Sequence, residues 1–362
     1  MDCDALSGWS EDFLNRLNSE GRRLCIPMTG SMALTHRCNL RCAHCYAGPD
    51  MDPQSPGMCG EPSTERWLSL IDEVAAAGCL FLLLTGGEPM VRPDFAQIYR
   101  HAKEAGLLVT VFTNGTMLTD KILDLFDELP PHAVEISLYG ATAATHDGIA
   151  GIPGAFDWSI AAVEKLLARG NRLRLKSVLM KPNLEEFPAI RALAEETYGV
   201  DFRMDAAIMP RLDGDTMPLQ LRVSPETAAD MEMSHPETRR KWAKAKSQSA
   251  HVTPSPRLYS CGAGVIGFHI DAEAQLLPCL ITTNVAVDVS TKPFAEGWSE
   301  IVEIMAGLKA KTGLECQSCP HSVMCGQCPS YALMENGQAD SVPEYLCELG
   351  RCRRERLERC GD

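Results

Sequence analysis

Cys38, Cys42 and Cys45 stand in the stretch HRCNLRCAHCYAG, with three residues in the first gap and two in the second. Thiolates are nucleophiles and soft metal ligands, so their spacing decides what chemistry is open to them. Burial as small hydrophobes fits poorly: Arg37, Asn39, Arg41 and His44 interrupt the run, and no helix or strand period hides it. Disulfide pairing leaves one thiol over. Metal remains. The thiolates either bind an iron–sulfur cluster with one iron left open, or bind zinc completed by His36 or His44.

A second array lies near the C-terminus. It comprises Cys261 in YSCGAG, Cys279 in LLPC, Cys316, Cys319, Cys325 and Cys328 in CQSCPHSVMCGQC, and Cys347 in EYLCELG. Paired C-x2-C steps are general metal knuckles, so a zinc ribbon and iron–sulfur sites both remain open. Cys352 rivals Cys347 as the last ligand. Cys3, Cys25, Cys59 and Cys360 have no assigned role, and Cys79 in CLFLLL reads as core.

These cysteines need elements to hold them. The apolar runs MALTH, CLFLLLTGGEP, LLVTVFTNG, AVEISLYG, RLRLKSVLM and VDFRMDAAIMP alternate with longer amphipathic stretches. Strict alternation implies a parallel sheet with helices outside, and right-handed crossovers curl it into a full or partial barrel. Catalytic groups of such α/β folds lie where strands end, and the three cysteines follow the first strand directly. Four segments are expected: an N-terminal extension over 1–30, a partial (β/α)6 TIM-like barrel over 31–224, a helical connector over 225–256, and a small cysteine-rich domain over 257–362. The last is loop-rich and needs metals as staples.

The 362-residue chain holds sixteen cysteines and carries a net charge of −14. A chain this long does not need so many disulfides, and its acidic N-terminal stretch has no signal-like apolar run. The expectation is a cytoplasmic protein with reduced thiols, no membrane span and no nucleic-acid partner, since phosphate binding needs cations. The one basic run, RRKWAKAK, is either a solvated helix face or a surface for an acidic peptide.

The spacing C-x3-C-x2-C after strand one, together with TGGEP ending strand two, resembles the radical S-adenosylmethionine enzymes. The resemblance implies that Cys38, Cys42 and Cys45 hold a [4Fe–4S] cluster whose free iron binds the methionine part of the cofactor. Gly86 and Gly87 let the backbone approach the ligand, Glu88 offers a carboxylate to its ammonium, and Pro89 stiffens the exit. Asn114 in TNG and Ser137 in ISLYG are implied to touch ribose or methionine, with helix capping the alternative for Asn114. His44 stands where the family places an aromatic residue beside adenine. Lys176, on strand five, is a further candidate. The second array is similar to the SPASM extension with two auxiliary [4Fe–4S] clusters, implying Cys261, Cys279 and Cys328 for the first and Cys316, Cys319, Cys325 and Cys347 for the second. Two details depart from that pattern: Ala274 replaces the usual glycine, and only two residues separate Cys325 from Cys328.

The chemistry implied is reductive cleavage of S-adenosylmethionine to a 5′-deoxyadenosyl radical that takes a hydrogen atom from an unactivated carbon. Members with this extension, such as the pyrroloquinoline quinone maturase group, imply a ribosomally made precursor peptide as substrate and an oxidative crosslink as product. The short stretch ahead of strand one leads to the expectation of a separate small peptide-recognition protein, and the cluster chemistry implies a flavodoxin- or ferredoxin-type reductant. Porphyrin side-chain modification and sulfatase-type protein maturation are alternatives within the chemistry; a non-catalytic metal or electron-transfer protein is the alternative outside it. Arg203, Asp205 and Asp271 are polar residues near the expected cavity, each better explained by structural ion pairing.

Overall fold

Each apolar run forms a strand because one of its faces can be buried under the helix that follows. The computed structural model describes residues 11–48, 60–249, 256–311, 313–319 and 321–359, so Cys3, Cys59 and Cys360 lie outside the described residues. Helix α1 (Glu11–Leu24) leads into β1 (Thr29–Ala33), α2 (Thr64–Ala76), β2 (Phe81–Thr85), α3 (Phe95–Glu104), β3 (Leu108–Thr113), α4 (Asp120–Glu128) and β4 (Ala133–Ser137). The helix pair α5 (Ala143–Ala150) and α6 (Ala155–Ala168), β5 (Leu173–Val178), α7 (Phe187–Ala192) and β6 (Asp201–Asp205) complete the alternation. Then come α8 (Pro225–Ser234), α9 (Pro236–Ser249), β7 (Gly267–Ile270), β8 (Gln275–Leu277), β9 (Val287–Asp288), α10 (Phe294–Gly307), α11 (Ser322–Cys325), α12 (Pro329–Asn336) and α13 (Glu344–Arg359). No helix among the described residues is long and apolar enough to cross a membrane.

All strands lie in one nine-stranded sheet, in the order β6-β5-β4-β3-β2-β1-β7-β8-β9. Strands β1 to β7 pair in parallel, and β8 and β9 are antiparallel. One face buries Met32, Leu82, Leu84, Val109, Val111, Val134, Ile136 and Leu175 with Trp67, Ile98, Tyr99 and Phe126 in the main core. The alternate positions, which a strand turns to its other side, include Ser31, Phe112, Glu135, Lys176, Arg203 and His269. Buried Glu135 pairs there with Arg174 at 3.2 Å and Arg203 at 3.3 Å.

The fold corrects three expectations. Strand β1 begins at Thr29, ahead of Met32, and its polar start hid it. Gly30 is required there, because a Cβ would lie 2.1 Å from the Phe268 ring of β7. Helix α5 is absent from the apolar pattern, since ATAATHDGIA has no periodic stripe; its ends form it instead. Thr142 accepts from the Thr145 N–H, Gly151 closes it at φ 73°, and Glu186 accepts from Ala141, Thr142 and Thr145. The C-terminal region is also less loop-rich than expected. It extends the main sheet through β7 and adds Phe268, Phe294, Trp298 and Ile301 to the main core.

One buried ion pair fastens the C-terminal helices. Arg353 donates to both Glu232 oxygens at 2.6 and 2.7 Å and to the Met324 carbonyl at 2.7 Å, with its guanidinium 4.1 Å from the Trp242 ring centroid. Both partners are under a tenth exposed. Glu232→Ala leaves a buried cation unpaired and is expected to cost ~3–5 kcal/mol, read as a lowered thermal midpoint in circular dichroism.

Candidate metal centre

The loop carrying Cys38, Cys42 and Cys45 leaves the C-terminal end of β1 and is held from two sides. On one side its backbone bonds to the end of α5: Arg41 N–H to the Ala150 carbonyl at 2.8 Å and Ala43 N–H to the Ile149 carbonyl at 3.0 Å. Leu40, Ala150 and Ala155 form a small apolar patch against which Cys38 and Cys42 pack. On the other side Glu61 accepts from the Thr35 hydroxyl, from the His36 N–H at 3.2 Å, and from Arg37 and Arg92 at 3.3 Å each. Arg92 also donates to the Leu34 carbonyl at 3.0 Å and grips Asp94 at 2.9 and 2.6 Å. The thiols therefore stand on a braced loop.

All three thiols are free and partly buried. Burial pushes Cys38 up to about 12 and raises Cys42 and Cys45, and the neighbouring thiols raise Cys38 and Cys42 further. Burial keeps these thiols protonated, as it does the core thiol Cys79, until a cation compensates the charge. Among the described residues, the donor group within 4.8 Å of one another is Glu226, Glu348 and Cys352, which does not include this loop. His36 lies 3.9 Å from Glu273, and His44 packs edge-on to Tyr139 at 4.5 Å, its Nδ1 buried without a partner and its pKa lowered to about 4 by burial.

The GGEP turn locks onto this loop. Gly87 N–H bonds to the Thr35 carbonyl at 2.8 Å and Glu88 N–H to the Arg37 carbonyl at 2.9 Å. Gly86 has φ 145°, and a Cβ there would lie 2.5 Å from the Thr35 oxygen. Pro89 opens a short 3-10 turn over Pro89–Val91, capped by Glu88. Glu88 is engaged by the protein's own donors. It is 0% exposed, and its carboxylate accepts from the Thr113 hydroxyl at 2.9 Å, Asn114 N–H at 2.7 Å and Met90 N–H at 3.2 Å. Burial raises it to about 7 against those donors. The side chain bolts the end of β2 to the end of β3.

Asn114 extends the bolt to the cysteine loop. Its Nδ2 donates to Asn39 Oδ1 at 2.9 Å and lies 3.9 Å from Cys38 Sγ. Helix capping, the alternative for Asn114, does not apply, because Thr119 caps α4. Ser137 ends β4 opposite Lys176 of β5. The Lys176 ammonium sits 3.2 Å from the Phe112 ring centroid and is lowered to about 7, mainly by burial. Asp205 and Asp271 serve turns, accepting from Ala207 N–H at 2.8 Å and from Glu273 and Gln275 N–H at 2.9 and 2.8 Å. Two residues were missed from sequence. Tyr139 packs on His146 at 5.6 Å and on His44 at 4.5 Å, its hydroxyl pushed up by burial and by the Cys42 charge, and the Arg211 charge acts on Cys45. Tyr139 was visible in ISLYG; Arg211 is far along the chain and reaches the loop because Leu212 N–H bonds to the Tyr46 carbonyl at 2.8 Å.

The remaining cysteines fall into two sets. Cys316, Cys319, Cys325 and Cys347 line one pocket with His321, and burial followed by the other three thiols raises Cys325 to about 11. Cys352 is absent from that pocket and lies with Glu226 and Glu348. Cys261, Cys279 and Cys328 form the other set: burial raises Cys279 and Cys328, and each feels Cys261. Beside them runs a buried hydroxyl chain, Tyr259 to Ser330 at 3.0 Å and Ser330 to Thr282 at 2.7 Å. Ala274 takes the place of glycine in the hairpin before Cys279 by adopting φ 58° itself.

Residues 32–194 match the family described as the Radical SAM superfamily. An "AdoMet-dependent heme synthase" of Methanosarcina barkeri is 29% identical over 343 residues, covering 88% of this chain and 94% of that protein. A "PqqA peptide cyclase" of Ruegeria pomeroyi is 36% identical over 170 residues, 47% of this chain and 44% of that protein. The crystal structure of Streptococcus suis SuiB bound to precursor peptide SuiA shares the fold with a TM-score of 0.66 at 14% identity, over 94% of this chain and 82% of that one. The thiol loop of β1 and the GGEP turn of β2 both lie inside residues 32–194, the region that matches the radical S-adenosylmethionine superfamily.

Proposed function

We propose that this protein is a radical S-adenosylmethionine enzyme that oxidatively matures a ribosomally made peptide. Cys38, Cys42 and Cys45 would hold a [4Fe–4S] cluster, which when bound supplies the electron that splits S-adenosylmethionine and so generates the hydrogen-abstracting radical. Gly86, Gly87 and Pro89 present backbone beside it, Asn114, Ser137 and His44 supply polar and ring contacts to the cofactor, and Glu88 positions Asn114. Cys261, Cys279 and Cys328, and separately Cys316, Cys319, Cys325 and Cys347, would hold two auxiliary clusters that take the electron left on the oxidised substrate. In this reading residues 31–224 form the cofactor barrel, 225–256 the connector and 257–362 the auxiliary-cluster region. A flavodoxin- or ferredoxin-type protein supplies the reductant.

The observation that carries this reading is the presence of three thiol sets, one after β1, one around β7 and β8 of the same sheet and one on α11 and α13, in a fold shared along 94% of the chain with a structure holding a precursor peptide. Anaerobic co-expression with short peptides encoded beside the gene tests it: mass spectrometry should show loss of hydrogen pairs from one of them. A second reading, porphyrin side-chain modification, is favoured by the heme synthase relative that aligns over 94% of its own length. Unmodified peptides together with decarboxylation of a supplied porphyrin would replace the first reading by the second.

The ligand assignment has its own check. Cys325→Ala is expected to remove one cluster, about four iron atoms per chain, whereas Cys352→Ala keeps the wild-type iron content in an elemental assay.

A further inference from the structure

The basic run has a structural place that the proposed reaction leaves unused. Helix α9 carries Arg239, Arg240, Lys241, Lys244 and Lys246 against Glu237, in a chain of net charge −14. Trp242 and Ala243 turn inward onto Met233, Met324 and Leu357, while Arg240, Lys241 and Lys244 are exposed. The helix is fixed there, because Trp242 lies under the Arg353 guanidinium at 4.1 Å. It packs on α11, which ends in Cys325, and on α13, which holds Cys347. On α13, Arg351 and Arg354 are each paired within the helix, with Glu348 at 3.0 Å and Glu358 at 2.8 Å, so the unbalanced positive charge lies on α9.

We propose that the solvent face of α9 docks a small acidic one-electron carrier protein, of the flavin or iron–sulfur kind, beside the cluster held by Cys316, Cys319, Cys325 and Cys347. The proposal rests on reading those four thiols as cluster ligands. Charge selects the partner: a concentrated cationic face on an acidic protein repels other acidic surfaces everywhere except here, which orients the encounter as well as speeding it. Position selects a carrier over an acidic peptide substrate. Helix α9 packs on α8, α11 and α13, the last two carrying Cys325 and Cys347, whereas the Cys38 loop is bonded to the end of α5 and to the GGEP turn. One electron would pass between the carrier and the cluster those four thiols would hold, in either direction through the same contact, so one partner is oxidised by one as the other is reduced by one, and no bond is made or broken.

The test follows cluster reduction in the anaerobically reconstituted holoenzyme by stopped flow, using an acidic flavodoxin in its hydroquinone state at low and high salt. Arg240→Glu/Lys241→Glu/Lys244→Glu is expected to lower the second-order rate constant by ~10-fold or more at low salt and to flatten its salt dependence. The glutamine triple variant should fall between, and photoreduced deazaflavin, which needs no docking surface, should reduce all three proteins alike. An unchanged flavodoxin rate with unchanged salt dependence overturns the proposal. So does a variant that keeps the flavodoxin rate and loses affinity for an acidic substrate peptide, which assigns the face to the peptide. Wild-type iron content in Cys325→Ala overturns the cluster assignment instead and removes the reason for docking at this place.

Discussion

Replacing Cys42 by alanine is expected to reduce formation of 5′-deoxyadenosine from S-adenosylmethionine by ~10³-fold or more, leaving the chain folded. The size of the effect follows from the ligand count. Three thiols converge on one site, no fourth cysteine accompanies them in the loop, and losing one leaves two thiolates to hold a cluster whose charge they must balance. The structural cost is small because Cys42 only packs on the rim of the Leu40, Ala150 and Ala155 patch. Cys79→Ala is the matching control. That thiol is 4% exposed within the main core, so its loss is expected to cost about 1 kcal/mol of stability and no cofactor cleavage. Liquid chromatography of the nucleoside product after anaerobic reduction separates the two variants.

Gly86→Ala is expected to remove cofactor cleavage by a different route. With φ 145° the position lies where an L side chain is strained, and the added Cβ would meet the Thr35 oxygen at 2.5 Å. Thr35 cannot retreat: it is 0% exposed, its hydroxyl is held by Glu61, and its carbonyl already accepts from Gly87. The clash must be relieved by moving the turn off the cysteine loop, at ~2–4 kcal/mol. Activity is expected to fall ~10²-fold, since displacement of about 1 Å at a reacting site has that effect. Gly106→Ala gives the comparison: φ is 87° but nothing lies within 4 Å, so it should cost ~1 kcal/mol in thermal denaturation and leave cleavage intact.

How much of this was legible beforehand depended on whether the signal was local. The thiol triad and the GGEP turn were readable because their spacing is itself the chemistry, and β2 to β5 were readable because their apolar runs are bounded by turns. Helix α5 was not, since it is built from caps and from Glu186 far along the chain rather than from an apolar stripe. The start of β1 was hidden by TGS, whose glycine makes sense only once Phe268 of β7 is seen against it. Glu88 was recognisable as special but not as a bolt, because its donors Thr113 and Asn114 come from the next strand. Parity and neighbouring residues could not separate zinc from a cluster at Cys38, Cys42 and Cys45; what favours the cluster is the family match over residues 32–194.

The central claim is that those three thiols leave one iron open to S-adenosylmethionine, and electron paramagnetic resonance of the reduced enzyme tests it most directly. Adding S-adenosylmethionine to anaerobically reconstituted protein should shift the cluster signal in wild type and leave it unshifted in the Cys38→Ala/Cys42→Ala/Cys45→Ala variant, which retains only the auxiliary clusters. A wild-type spectrum identical with and without the cofactor, or a preparation that binds zinc and no iron at this loop, contradicts the account.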